Sequence, residues 1–159
     1  MQLAVTSYLV VQALHIMAVV AAYGLPMAYP VLLPYLRRKH PSAMPGVHDV
    51  QYRLNVRLTG PGTVLILIFG AYMASKHHLW GEAWVAVPVA ILAVIAVVGG
   101  AVIVPASKQM ASLSRADVDA GIAWSPEYDR VYSRYMAAEV LLGALVLVAI
   151  FFMAAKPFA

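Results

Sequence analysis

The residue with the clearest capacity for chemistry in this sequence is His15, within the apolar run "QALHIMAVV". Gln12 precedes it by three residues, so the two side chains share one face of a helix. Ionisable groups inside an apolar membrane segment are costly, and they usually face neighbouring helices and find partners there. His15 is therefore either a neutral imidazole bonded to Gln12 or to another helix, or a functional group: an axial haem ligand, a copper ligand or a proton carrier.

Partners for His15 are expected at the same depth, near the ends of the other apolar stretches. Imidazole and thioether groups suit copper, and a histidine paired with a methionine or a second histidine suits haem. The candidate metal ligands are accordingly His15, His77, Met73 and Met153. No fixed metal-ligand spacing accompanies this set, and His77 and His78 can also be read as residues of the membrane boundary.

Glu139, in "YMAAEVLLG", is the second ionisable group inside an apolar stretch. Arg134 lies five residues earlier and Arg57 enters its own stretch from the same side, so an interfacial ion pair is the simpler interpretation. A proton path is the functional alternative. At 1.5 Å of rise per residue, Glu139 and His15 are on the order of 15 Å apart along the bundle axis, so a direct partnership is excluded.

The elements that position these residues follow from composition. Hydrophobic residues make up 63% of the 159, charged residues 11%, and the mean hydropathy is +0.81. Apolar stretches cover about residues 3–36, 58–75, 83–105 and 135–155, and spanning a bilayer takes about 20 residues of helix. The sequence predicts an all-α fold, an antiparallel bundle of four transmembrane helices in one integral membrane domain, residues 1–159.

The distribution of Lys and Arg predicts the orientation, because basic residues are retained on the cytoplasmic side. The loops after the first and third stretches hold nine of them, against two on the other side: Arg37, Arg38, Lys39, Arg53, Arg57, Lys108, Arg115, Arg130 and Arg134 against Lys76 and Lys156. Both termini are expected to face outward, in a bacterial-type inner membrane. Since membrane topology explains the net charge of +4, we expect the lipid bilayer and no nucleic acid as partner. The absence of cysteine excludes disulfides and thiolate ligands.

Three prolines shape the first apolar stretch. Pro26, Pro30 and Pro34 recur every four residues, and proline removes a backbone donor and clashes with the preceding turn. Membrane helices tolerate such residues because neighbouring helices and local adjustments satisfy the freed carbonyls. The spacing predicts a long first helix that is bent or unwound in its second half. In the third loop "SRAD", residues 114–117, resembles a capping box and predicts the start of a short interfacial helix.

Four segments carry a resemblance to known families: "ALHIMAVV", "RLTGPGTVLILIFGAYM", "IVPASKQMASL" and "VAIFFMAAKPFA". Together they resemble the predicted four-helix integral membrane proteins of unknown function. More distantly they resemble the HemJ-type protoporphyrinogen oxidases and the copper-resistance D membrane domain. The resemblance to the oxidases implies haem b as cofactor, His15 as its ligand, and Lys156, Pro157 and Phe158 as the matching carboxyl-terminal motif, with Lys156 beside the cofactor.

Three functions follow from these observations. The first is a small membrane protein that binds haem or takes part in a redox process, with His15 as the axial ligand. The second is a structural or accessory subunit that binds no cofactor and packs against other membrane subunits or a second copy of itself. The third is copper handling through the four candidate metal ligands. No nucleophile motif, phosphate loop or paired carboxylates point to a hydrolase or transferase.

Overall fold

The structure is a computed structural model that describes the backbone of residues 2–157 and the side chains of residues 7–157. The described residues form helices and short connections, with no strand among them, so the all-α fold is confirmed. The α-helices are α1 Gln2–Tyr23, α2 Tyr29–Lys39, α3 Met44–Leu54, α4 Gly60–Lys76, α5 Ala83–Val98, α6 Val104–Asp119 and α7 Pro126–Ala155.

The first apolar stretch is bent, as its prolines predict. α1 ends at Tyr23, a 3-10 turn runs from Pro26 to Ala28, and α2 leaves at an angle of 41°. Gly24 fits the break because a Cβ there would lie 2.6 Å from the carbonyl oxygen of Val20. Pro30 lies in the first turn of α2, where proline costs little, and Pro34 lies inside it. The main change of direction is therefore at residues 24–28.

Two further helices run well beyond the predicted apolar stretches. A π-helical turn, Asn55–Thr59, joins α3 to α4, and a second, Gly99–Ile103, joins α5 to α6. Continuous helical segments result at Pro41–Lys76 and Ala83–Asp119. The segment Pro41–Lys76 therefore begins within the loop that the sequence suggested after the first apolar stretch. Pro41 and Pro45 do not prevent this, because they occupy first-turn positions that need no backbone donor.

The prediction that a short helix starts at "SRAD" is wrong. Ser114 and Asp117 lie near the end of α6, and Ser114 bonds back to the carbonyl of Ala111 within that helix. Asp117 instead accepts hydrogen bonds from the backbone nitrogen and the hydroxyl of Ser125, at 2.9 and 3.0 Å. Ser125 is the N-cap of α7 and accepts a hydrogen bond from the backbone of Tyr128. Asp117 therefore orients the start of α7.

The helices pack in three main pairs: α1 against α4, α3 against α6, and α5 against α7. α1 and α4 approach closely at Gly62, where a Cβ would lie only 2.8 Å from that of Ala22. Small residues at such crossings let membrane helices come together. Among the described residues, three helical segments are long and apolar enough to cross a membrane, and the bent α1–α2 pair makes a fourth if it is counted as one span.

Candidate functional site

A cavity of about 580 Å³ lies between α1, α4, α5 and α7, toward the end of the bundle that holds Lys76 and Ala155. Its walls are mostly aliphatic and aromatic. The volume falls within the range of small-molecule and cofactor pockets, which are largely apolar with a few placed polar groups. We call it the His15 cavity, because His15 contributes an ionisable side chain to its wall.

His15 is held against α4 by a glycine. A Cβ at Gly70 would lie 3.3 Å from Cε1 of His15, so the absence of a side chain there makes room for the imidazole. The backbone of Ile66 on α4 is a hydrogen-bond partner of the imidazole, while Nδ1 is buried and makes no close hydrogen bond with a described side chain. Of the two partners that the structural interpretation of His15 allowed, Gln12 does not bond to Nδ1, whereas a neighbouring helix does contact the ring, through the backbone of Ile66. The cavity wall therefore contains an imidazole whose ring is held in place by α4.

Three of the other predicted site residues line the same cavity. Met73 comes from α4, Met153 from α7, and Lys156 from the residue that caps α7. Nζ of Lys156 lies 4.9 Å from the ring centroid of Trp84, another residue of the wall. The fold thus gathers two thioethers, an imidazole and an ammonium group around one apolar space. Phe158, the last residue of the implied carboxyl-terminal motif, lies outside the described residues.

His77 is not part of this wall. It lies after the last turn of α4 and is exposed, with its ring edge-on to Tyr8 at 4.7 Å between centroids. Its neighbour His78 adopts a left-handed turn conformation. Within the described range no three His, Asp or Glu residues are close enough to hold a metal ion. A copper site in this part of the chain would therefore depend on His15 and the methionines.

A second cavity, of about 320 Å³, lies beside the two π-helical turns. We call it the Glu139 cavity, after the carboxyl group in its wall. Three residues, Tyr23, Ile95 and Val146, line both cavities, so the two spaces are neighbours along the bundle. Tyr23 also marks this boundary with a hydrogen bond of 2.7 Å to the hydroxyl of Thr63.

Glu139 does not form the ion pair that the sequence suggested. The ion pairs found within the described residues are Arg37–Asp129 and Arg53–Asp49, while Arg57 and Arg134 are exposed. Instead the hydroxyl of Tyr135, one turn earlier on α7, donates a hydrogen bond to Glu139 Oε1. The tyrosine lies between the carboxyl group and the polar end of the bundle.

Tyr135 belongs to a buried hydrogen-bonded chain, which we call the polar chain: Tyr128, His48, Gln51, Tyr135 and Glu139. His48 Nε2 bonds to the hydroxyl of Tyr128 at 2.9 Å and Nδ1 bonds to Gln51 Oε1 at 2.6 Å. Gln51 Nε2 donates to the hydroxyl of Tyr135 at 3.1 Å. The polar chain connects α3 to α7 and ends at the Glu139 cavity.

Sequence reasoning missed this polar chain, although a signal was present. Tyr128, Tyr132, Tyr135 and Glu139 follow one another at spacings of four, three and four residues, which places them on one face of a helix. His48, Gln51 and Asn55 repeat the pattern in the segment that was expected to be the loop after the first apolar stretch. Two facing helices with complementary polar stripes predict an interhelical hydrogen-bond network. The network was missed because residues 44–54 were not predicted to be helical.

Arg37 closes the arginine-rich end of the bundle. It forms an ion pair with Asp129 of α7. Its guanidinium carbon also lies 5.5, 5.4 and 4.6 Å from the ring centroids of Trp124, Tyr128 and Tyr132, respectively. Arginine binds well over aromatic faces because its charge is delocalised and weakly hydrated. This contact fixes the end of α2 against α7 and covers the first residue of the polar chain.

Long apolar helices, two cavities between them and a buried polar chain together define a helical membrane protein. The model of the family described as "Predicted integral membrane protein (DUF2269)" matches residues 9–157, and the chain belongs to this family. No curated protein and no solved structure matches the chain. The more distant resemblance to the HemJ-type oxidases and the copper-resistance D domain stays a prediction.

Proposed function

We propose that this membrane protein binds haem in the His15 cavity, with His15 as the axial ligand. The observation that supports the proposal most strongly is the place of His15, whose ring lies in the wall of a cavity of cofactor size and is held there against Gly70 of α4. An ionisable side chain among membrane helices is costly, and a bound ligand can compensate that cost. Haem iron is a ligand that histidine holds in many proteins.

The other residues of the wall fit the same group. The aliphatic and aromatic lining suits a flat apolar macrocycle, and Met73 and Met153 offer thioethers, a known partner of histidine on haem iron. Lys156 places a positive charge at the rim, where it can attract an acidic substituent of the ligand. When bound, haem supplies one-electron redox chemistry. The protein's own residues hold the ring, exclude water and offer the axial ligand.

The proposal extends to topology. It takes the bent α1–α2 pair and the three other long helical segments as four antiparallel crossings of an inner membrane, in one domain with both termini outward. The unequal distribution of basic residues supports this orientation. Cysteine accessibility tests it: single cysteines introduced at Ser42 and His78 should react with an impermeant maleimide from opposite sides. Labelling of both from the same side would contradict the arrangement.

Haem binding can be tested by titrating the detergent-purified protein with haemin. We expect saturation at one equivalent with a red-shifted Soret band, and loss of that shift in His15→Ala. His77→Ala is the matched control, because His77 is a histidine at the same end of the bundle that does not line the cavity. Equal spectra for His15→Ala and the wild type would refute the proposed ligand.

Copper handling is the second candidate function, because Met73 and Met153 line the same cavity as His15. Thioether and imidazole ligands favour Cu(I). Elemental analysis of the protein purified from copper-supplemented cells tests it. One equivalent of copper that is lost in Met153→Leu would favour copper over haem, whereas a protein free of both would leave the accessory-subunit hypothesis, for which co-purification of other membrane subunits is the test.

A further inference from the structure

The Glu139 cavity carries polar groups that the proposed haem site does not use. Most of its wall is aliphatic, but it receives Glu139 from α7 and Asn55 from the first π-helical turn. π-helical turns occur often at functional sites because the extra residue redirects side chains. Glycines 99, 100 and 143 also line it, and a Cβ added at any of them would meet no atom within 4 Å. The cavity therefore has room for a ligand beside its polar groups.

Asn55 offers this space a hydrogen-bond donor. Its side chain is almost fully buried, with 5% of its surface exposed. Nδ2 lies near the hydroxyl of Tyr135, which can engage at most one of its two hydrogens. An amide NH₂ group can only donate, and a buried hydrogen without an acceptor costs free energy. A ligand that fits this cavity should therefore bring an acceptor.

Glu139 points to the same kind of ligand. It is 6% exposed, one oxygen accepts from Tyr135, and it takes part in no ion pair within the described range. An unpaired carboxylate among apolar side chains is costly, so the uncharged acid is the form that this environment favours. Its free oxygen then carries a proton to donate. Two donors beside Tyr135 favour an uncharged ligand with an acceptor oxygen.

The wall of the cavity also indicates what the part of the ligand beyond its polar head group is like. Because the rest of its wall is largely aliphatic, as at Val64, Ile103 and Leu142, an apolar tail can lie within this cavity beside a polar head at Glu139. We propose that Asn55 and Glu139 bind the carbonyl head group of a membrane-soluble, quinone-type ligand. A carbonyl oxygen has two lone pairs and can accept from both donors. This site is independent of haem binding.

Titration calorimetry in detergent tests the site, with decylubiquinone as the probe and decylbenzene as an apolar probe without oxygen. We expect saturable binding of decylubiquinone alone, about tenfold weaker in Asn55→Leu because one hydrogen bond to the ligand is lost. Glu139→Gln keeps an uncharged donor and should stay within about threefold of the wild type. Thr63→Val is the control: Thr63 lines the cavity, but its hydroxyl is already bonded to Tyr23 and Thr59.

Gly143→Leu provides a steric test that preserves the polar groups. Its side chain enters open space, so the protein should fold, as checked by circular dichroism and gel filtration, and should lose decylubiquinone binding. Three results would each overturn the proposal: no binding by the folded wild type, equal binding of both probes with no effect of Asn55→Leu, or abolition of decylubiquinone binding in folded Glu139→Gln, which would show that an uncharged donor at this position is not sufficient. None of them depends on whether haem binds.

Discussion

Removing the hydroxyl of Tyr135 should destabilise the protein, whereas removing that of Tyr132 should not. Both tyrosines are buried on the same face of α7. The Tyr135 hydroxyl accepts from Gln51 and donates to Glu139, while the Tyr132 hydroxyl is buried without a hydrogen bond to the described residues. Both Tyr135→Phe and Tyr132→Phe thus delete one hydroxyl oxygen, but only Tyr135→Phe removes hydrogen bonds.

The magnitude follows from the number of bonds. Hydrogen bonds between membrane helices contribute about 0.6 kcal/mol on average and up to about 1.7 kcal/mol, and Tyr135→Phe removes two while leaving buried polar atoms of Gln51 and Glu139 without that partner. We expect a loss of about 2–3 kcal/mol. For a chain of this size that corresponds to about 4–12 °C in melting temperature. Tyr132→Phe relieves an unsatisfied hydroxyl and keeps the ring that Arg37 covers, so its stability should change by less than about 0.5 kcal/mol.

Thermal unfolding in detergent, with equilibrium unfolding in mixed micelles to obtain free energies, measures the difference. Retention of the α-helical circular dichroism signal at low temperature shows that each variant folds. Equal shifts for the two variants, or a larger loss for Tyr132→Phe, would refute the assignment of the polar chain as a stabilising contact between α3 and α7.

Three further substitutions, two of them with a matched control, test packing and capping contacts. Gly62→Ala should cost about 1–3 kcal/mol, because its Cβ would lie 2.8 Å from that of Ala22, whereas Gly46→Ala, with no atom within 4 Å, should be neutral or stabilising in the same thermal assay. Ser125→Ala removes the N-cap of α7 and should cost about 1 kcal/mol. Ser112→Ala, an exposed serine bonded within its own helix, is its control. Arg37→Lys loses the fit to three aromatic rings and should lower stability by about 1 kcal/mol, an effect that persists in high salt because stacking is screened less than the ion pair.

Helical class and the bend of the first helix could be predicted from the sequence because both depend on local composition. Apolar stretches of membrane length favour helices in any context, and Gly24 and Pro26 mark the break whatever packs around them. Depth along the helices also placed Met73 and Met153 near His15, since residues at equal distance from the membrane surface can approach one another in a bundle.

Other parts depended on packing that a single sequence does not contain. The ion pair expected for Glu139 rested on two nearby arginines, but proximity in sequence does not set side-chain direction, and the hydroxyl of Tyr135 is closer. His48 was not predicted as a site residue because it lies, with Pro41 and Pro45, in the loop expected after the first apolar stretch. Those prolines begin helical turns instead, and only the contact with α7 reveals that the polar face of α3 is buried.

The central claim, that the His15 cavity holds haem, is tested most directly by the visible spectrum of the protein purified in detergent from haem-sufficient cells. We predict a Soret band that shifts on reduction and is lost in His15→Ala but kept in His77→Ala. A colourless wild-type protein that contains no iron by elemental analysis and gives no Soret shift with added haemin would contradict the claim.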